Sequence, residues 1–159
     1  MKVLVVSDTH RKNENFFRVL KKVGPVDMVI HCGDIEGSEY AIATSAECRV
    51  EMVAGNNDFF SRLPREKELL LEGMKVLVTH GHNYYVNTNP EFIRKEARNR
   101  GMDIVMYGPT HRPVAEKTDN LIVINPGSLT YPRQEGRRPS YAVLEIENHD
   151  IKRLEILYL

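Results

Sequence analysis

Five short stretches of this sequence carry donors that suit a divalent metal: Asp8-Thr9-His10, Gly33-Asp34, Gly55-Asn56-Asn57-Asp58, His80-Gly81-His82 and Gly108-Pro109-Thr110-His111. Carboxylate, imidazole and amide oxygen are hard to borderline ligands, and no thiolate is among them. That set favours Mn²⁺, Fe²⁺ or Zn²⁺ over a structural cysteine site. Asp8 and His10 are two apart, so an extended backbone would point both side chains the same way. One Asp among several His residues can bridge two metals, and a two-metal site activates water and offsets charge on a transferring phosphoryl group. Taken singly, each stretch has an ordinary reading. Asp34 after Gly33 suits a turn or a helix cap, Asn56 suits a left-handed turn, and His80 suits a core histidine bonded to backbone.

What joins the stretches is their place in the chain. Each follows an apolar run that reads as a strand: Val3 to Val6, Met28 to His31, Arg49 to Val53, Met74 to Val78 and Asp103 to Tyr107. Strands alternate with helical patterns. Asn13 is placed to cap a helix from Glu14 to Lys22, whose Phe16, Val19, Leu20 and Val23 form one apolar face. Ser38 is placed to cap a short helix to about Ala43, and Asn89-Pro90 opens a helix to Arg100 that ends at Gly101. In parallel α/β sheets the carboxyl ends of strands share one edge, where ligands bind. Four of the six histidines fall at these ends. Three hairpins are also expected, around Glu72-Gly73, Asp119-Asn120 and Asn148 to Asp150. Two sheets packed face to face, with helices outside, would bury every apolar strand.

The 159 residues suffice for one domain spanning 1–159. Twenty-two basic residues balance twenty-two acidic ones, which argues against strong nucleic-acid binding. Cys32 and Cys48 read as buried small hydrophobes rather than a disulfide. No apolar run approaches a membrane span, and the N-terminus starts directly on a core strand, so a cytoplasmic setting is the expectation. Arg133 to Arg138, with Arg112, make a basic group. Arg133 is the better placed for substrate, while Arg137 and Arg138 read as a solvated loop. His31 reads as structural, and His149 as a turn residue. Tyr84 and Tyr85 suit either the pocket or a loop filling.

The five stretches, in this order, resemble the calcineurin-like metallophosphoesterases. Asn125-Pro126-Gly127-Ser128 followed by Pro132-Arg133 is similar to their small prokaryotic YfcE-type subfamily, and the resemblance runs unbroken to about Arg133. It implies a four-layer α/β/β/α sandwich of two mixed sheets and a two-metal phosphodiesterase site acting on a small phosphodiester or nucleotide. By position, Asp8, His10, Asp34 and His111 would hold the first metal. Asp34 would bridge, and Asn56 and His80 would hold the second. Mn²⁺ is the expected metal, with Ni²⁺, Fe²⁺ or Zn²⁺ as alternatives. His82 would face the phosphate. Two departures stand out. Pro109 occupies the place of a histidine ligand, so the second metal should be held more weakly. Asn57 occupies the place of a general acid and cannot deliver a proton at neutral pH, so good leaving groups should be favoured. The resemblance also allows a phosphomonoesterase, a protein-binding scaffold like the retromer subunit of this fold class, and a homo-oligomer.

Overall fold

The inner strands of the chain are apolar on both faces because each of their two faces meets a different layer. A computed structural model describes residues 1–159. In the first sheet, β1 (Lys2–Val6), β2 (Met28–His31) and β3 (Arg49–Met52) run parallel, and β9 (Ser140–Glu147) and β10 (Asp150–Tyr158) extend it antiparallel, in the order β10-β9-β1-β2-β3. The second sheet joins β4 (Glu66–Leu71), β5 (Met74–Thr79), β6 (Ile104–Met106), β7 (Val114–Thr118) and β8 (Leu121–Asn125) in the order β4-β5-β6-β8-β7. Its β5, β6 and β8 are parallel.

Alternation along β1 sorts its side chains. Val3 and Val5 turn inward with Met28 and Ile30 to meet Val76, Val78, Ile104 and Met106 of the other sheet. Leu4 and Val6 turn outward onto Phe16 and Val19 of α1 (Glu14–Val23), with Ile42 of α2 (Glu39–Ser45) beside them. On the far side, Leu77, Val105 and Val123 pack against Ile93 and Ala97 of α3 (Glu91–Asn99). The layers therefore run α/β/β/α, as expected. Full burial of each such aliphatic side chain is worth about 1.5–3 kcal/mol, so all three apolar layers hold the strand ends in fixed relation.

Local signals fared unevenly. Asn89 Oδ1 accepts the Glu91 N–H at 3.0 Å ahead of α3, as a cap should. Asn13 and Ser38 stand at the starts of α1 and α2 but make no side-chain cap bond; only their carbonyls join, accepting from Phe17 and Ile42. The β4–β5 turn places Glu72 and Gly73 at φ 48° and 84°, and the β7–β8 turn places Asp119 and Asn120 at 48° and 61°. Such left-handed pairs match strand twist in two-residue hairpins. Cys32 is buried, whereas Cys48 is only half-buried, because it precedes the edge strand β3; both are free thiols. No helix is long and apolar enough to cross a membrane.

Candidate metal centre

The loops after β1, β2, β3, β5 and β6 converge from both sheets, and backbone bonds sew them together. Asp8 N–H donates to Gly33 O at 3.0 Å, His10 N–H to Asp34 O at 2.9 Å, and Gly108 N–H to His80 O at 2.9 Å. Across the sheets, the His80 ring reaches Cys32 O at 2.7 Å. Contact is close enough to exclude side chains at Gly33, where a Cβ would press on His80 Nδ1 and Gly55 N, and at two further glycines. A Cβ on Gly55 would overlap the Asp34 carboxylate, and one on Gly108 would overlap Ser7 Oγ.

Asp8, His10, Asp34, His80 and His111 meet in this knot. His111 Nε2 lies 2.8 Å from Asp8 Oδ1, and His10 Nε2 lies 3.3 Å from the same oxygen. Asp34 Oδ2 sits between His80 Nε2 at 3.5 Å and His10 Nε2 at 3.7 Å. Two overlapping groups have the spacing to hold ions, Asp8-His10-His111 and Asp8-Asp34-His80. Asp8 belongs to both. The reason first given for pairing Asp8 with His10 does not hold, however. β1 ends at Val6, and Asp8 and His10 have φ of 56° and 47°, so no extended alternation aligns them. Asp34 and His111 are left-handed too, at 59° and 56°. Backbone strain of this kind persists only where surrounding structure enforces it.

The histidine tautomers are set by what lies behind each ring. His80 Nδ1 faces Cys32 O at 2.7 Å, and His111 Nδ1 faces Tyr131 O at 2.8 Å. A carbonyl has no proton to give, so each Nδ1 must carry one and donate it. His10 Nδ1 faces the Glu36 carboxylate at 3.4 Å. Each neutral ring therefore turns a bare Nε2 lone pair toward Asp8 and Asp34. Asp8 Oδ1, His10 Nε2 and His80 Nε2 are buried with no hydrogen-bond partner. Lone pairs facing carboxylates are mutually repulsive and costly to bury. A cation between them removes both penalties, so the residues present fit a divalent metal.

The same geometry shifts the titrations. Burial opposes ionisation of Asp8, but His10 and His111 outweigh it and hold the carboxyl below its usual range. Asp34 is treated likewise by His80 and Asn57 and is held far lower. Burial would lower His80, yet Asp34 and Asp8 raise it to about 8. Without a metal, a proton takes the metal's place. His31, beneath the loop, goes the other way: burial pushes it down to about 4. Gly33 N–H donates to His31 Nδ1 at 3.1 Å, so the ring's Nε2–H donates to Thr9 Oγ1 at 3.0 Å. That matches the structural reading of His31.

Outside the knot, a cavity of about 840 Å³ opens with His10, Asp34 and His111 at its floor. Asn56, Asn57, His82, Pro109 and Arg133 also line it. Asn56 is exposed there. His82 Nδ1 is buried without a partner, and burial, His80 and Arg65 lower its pKa. Asn57 does more than line the wall: its N–H donates to Asp34 Oδ1 at 2.9 Å and its side-chain amide to Oδ2 at 2.8 Å. Tyr84 and Tyr85 do not line it. Tyr84 OH instead donates to Glu66 at 3.1 Å and accepts from Arg100 at 3.1 Å, and Tyr85 is exposed. Arg137 is exposed, as a solvated loop residue should be, yet it is also turned to the site. It lines the cavity from a turn in which its φ is 45°. Arg138 points away and donates to Leu159 O.

Residues that stood in the sequence motifs without a role of their own lie one layer back. Asp58 accepts the N–H groups of Asp34, Ile35, Glu36 and Gly55. Ser128 Oγ donates to Asp8 O at 3.0 Å and accepts from Tyr131 N–H at 2.8 Å. Asn125 Nδ2 donates to Thr110 Oγ1 at 2.8 Å. The Asn125 to Ser128 turn thus braces the Asp8 loop and the His111 loop together.

Known proteins resemble this arrangement along nearly the whole chain. The family described as the calcineurin-like phosphoesterase superfamily domain matches residues 1–149. The probable metallophosphoesterase YsnB of Bacillus subtilis is 35% identical over 149 residues, 93% of this chain and 86% of that protein. Phosphodiesterase MJ0936 of Methanocaldococcus jannaschii is 30% identical over 147 residues, 80% of this chain and 83% of that one. The crystal structure of a predicted phosphoesterase from Streptococcus pneumoniae superposes with a TM-score of 0.84 at 30% identity, covering 99% of this chain and 88% of that one.

Proposed function

The chain belongs to the calcineurin-like phosphoesterase superfamily, and from that premise we propose that it is a metal-dependent phosphodiesterase for a small phosphodiester or nucleotide. One observation carries the reading: three histidines, each with Nδ1 facing an oxygen, aim their Nε2 atoms at two buried carboxylates. Asp8, His10, Asp34 and His111 would hold a first metal. Asp34, Asn56 and His80 would hold a second, for which Pro109 offers no donor atom. Mn²⁺ suits the mix of carboxylate, imidazole and amide oxygen, with Ni²⁺, Fe²⁺ and Zn²⁺ as alternatives. When bound, such metals acidify water and offset charge on the phosphoryl oxygens.

The chain's own residues do the rest. Asn57 holds both Asp34 oxygens, so Asp34 keeps one orientation. His82 lines the cavity with its pKa lowered, so at neutral pH it meets a phosphate oxygen as a neutral donor. Arg133 is tied by its N–H to His111 O at 3.1 Å, and its guanidinium suits the part of the substrate that flanks the scissile phosphate. In hydrolysis a water oxygen bonds to phosphorus and the ester oxygen leaves with the bonding pair. Asn57 has no proton to give that oxygen, so the leaving group must be stable as its anion. The expected setting is the cytoplasm, with the unit 1–159 acting as one domain.

Hydrolysis of bis(p-nitrophenyl) phosphate by the purified chain, with Mn²⁺, Ni²⁺, Fe²⁺ and Zn²⁺ each supplied, tests the reading. Activity with at least one metal, lost in Asp34→Asn, is the expected result. Faster turnover of p-nitrophenyl phosphate would make it a phosphomonoesterase instead. No hydrolysis with any metal would return the chain to the scaffold reading.

A further inference from the structure

We infer that Arg112, Arg133 and Arg137 form a subsite for a second phosphate group of the substrate, carried beyond the scissile phosphodiester. The inference rests on the phosphoesterase reading and extends it to substrate class. All three arginines line the cavity floored by His10, Asp34 and His111, and Asp34 is the only carboxylate among its lining residues. None of the three side chains makes an ion pair or a hydrogen bond within the protein. Arg49, Arg94, Arg98, Arg100 and Arg153 are paired with carboxylates elsewhere on the chain; Arg62 and Arg65 are unpaired as well, but only Arg112, Arg133 and Arg137, all exposed, converge on this one cavity. The sequence carries no net charge, so this unpaired positive wall is a local feature rather than a consequence of composition.

The wall is braced. Arg112 follows the His111 ring directly. The Arg133 N–H donates to His111 O at 3.1 Å. The turn carrying Arg137 is closed by its N–H on Gln134 O at 3.0 Å and by Gln134 Nε2 on Arg138 O at 2.6 Å. A scissile phosphoryl group over the metal floor fills only one part of about 840 Å³. Apart from Pro109, Tyr131 and Pro132 the lining is polar or charged, so the cavity does not suit an acyl chain. Planar guanidinium forks without partners suit a phosphate, which accepts paired N–H bonds.

A matched pair of substrates reads this out: thymidine 5′-(p-nitrophenyl phosphate) and the same compound bearing a 3′-phosphate. With the Mn²⁺-loaded protein, the 3′-phosphate is expected to raise kcat/KM by about tenfold or more, chiefly through KM. In the Arg112→Gln/Arg137→Gln variant that ratio should drop below about threefold, and in wild type it should shrink as salt rises from about 0.05 to about 0.3 M. Calorimetry on the metal-free protein supplies a second readout. Thymidine 3′,5′-bisphosphate should bind more tightly than the 5′-monophosphate, and the double variant should erase the difference. Equal kcat/KM for the two esters in wild type overturns the subsite and leaves the phosphodiesterase reading standing. Hydrolysis of neither overturns that reading, and the metal-free binding difference then decides the subsite alone.

Discussion

Asp58→Ala tests whether the metal floor is built by backbone that a single side chain organises. The Asp58 carboxylate accepts four N–H groups: Asp34 at 2.8 Å and Gly55 at 2.7 Å on Oδ2, Ile35 at 2.8 Å and Glu36 at 2.6 Å on Oδ1. Those donors span the loops after β2 and β3, which carry Asp34 and Asn57. A hydrogen bond to a charged group contributes about 1.5–3 kcal/mol net. Asp58 is half-buried, so water takes over part of the lost bonding; counting about 1 kcal/mol for each gives about 4 kcal/mol in all. Against a total stability of about 5–15 kcal/mol, that is a large loss.

Urea unfolding in chelator reads it without any contribution from metal. With a slope of about 2 kcal/mol/M, the midpoint should fall by about 2 M. Metal affinity, measured by calorimetry below the onset of unfolding, should fall by about tenfold to a hundredfold, because Asp34 loses its fixed backbone. Asp58→Asn preserves volume but sets an NH₂ against two N–H donors, so it should recover less than half of the lost stability. If Asp58→Ala unfolds within about 0.5 M of wild type and binds metal equally well, the bracing argument is wrong.

Other perturbations follow from the same geometry. Pro109→His supplies an imidazole where the second metal lacks a donor; metal content per chain should rise, and an unchanged content in a wild type that already holds two would refute the account of Pro109. Rate should depend steeply on leaving-group acidity across a series of aryl phosphodiesters, since Asn57 gives no proton; a flat series would reveal an acid elsewhere. Affinity for the second metal should weaken by about tenfold per pH unit below the His80 value of about 8, because that metal must displace the His80 proton; pH-independent binding of a second ion between 6 and 8, by the same calorimetry, argues against His80 as a ligand. In chelator, stability should peak near the ordinary histidine value of 6.5. His80 is raised to about 8, so its contribution is complete below 6.5 and lost as pH climbs through 8. His31 is lowered to about 4, so its contribution is complete above 6.5 and lost as pH falls to 4. A thermal midpoint that only rises from pH 5 to 9 would contradict that pairing.

The sequence made the strand ends legible because burial on both faces writes a strand as an unbroken apolar run. Val3 to Val6 shows it, with Val3 and Val5 in one layer and Leu4 and Val6 in another. The donors that follow such runs stand out by residue type alone. What stayed hidden depends on backbone. Asp8 and His10 meet through left-handed residues, not through strand alternation. Arg137 lines the cavity from a turn, which no spacing of arginines announces. Asn13 and Ser38 have capping side chains that the loops before their helices leave unused.

The deepest gap concerns the histidines themselves. A metal needs Nε2 free, and that is decided by what Nδ1 meets. For His80 and His111 the answer is a main-chain carbonyl, at Cys32 and at Tyr131. Any residue supplies a carbonyl, so these two partners leave no trace in residue type. Only for His10 is the partner a side chain, Glu36. Substitution can therefore probe one tautomer alone. Glu36→Gln keeps an acceptor and should cost metal affinity little, whereas Glu36→Leu frees the His10 ring and should cost about tenfold. Equal affinity in both variants would mean that the carbonyl-locked rings, with Asp8 and Asp34, hold the ion without needing His10 oriented.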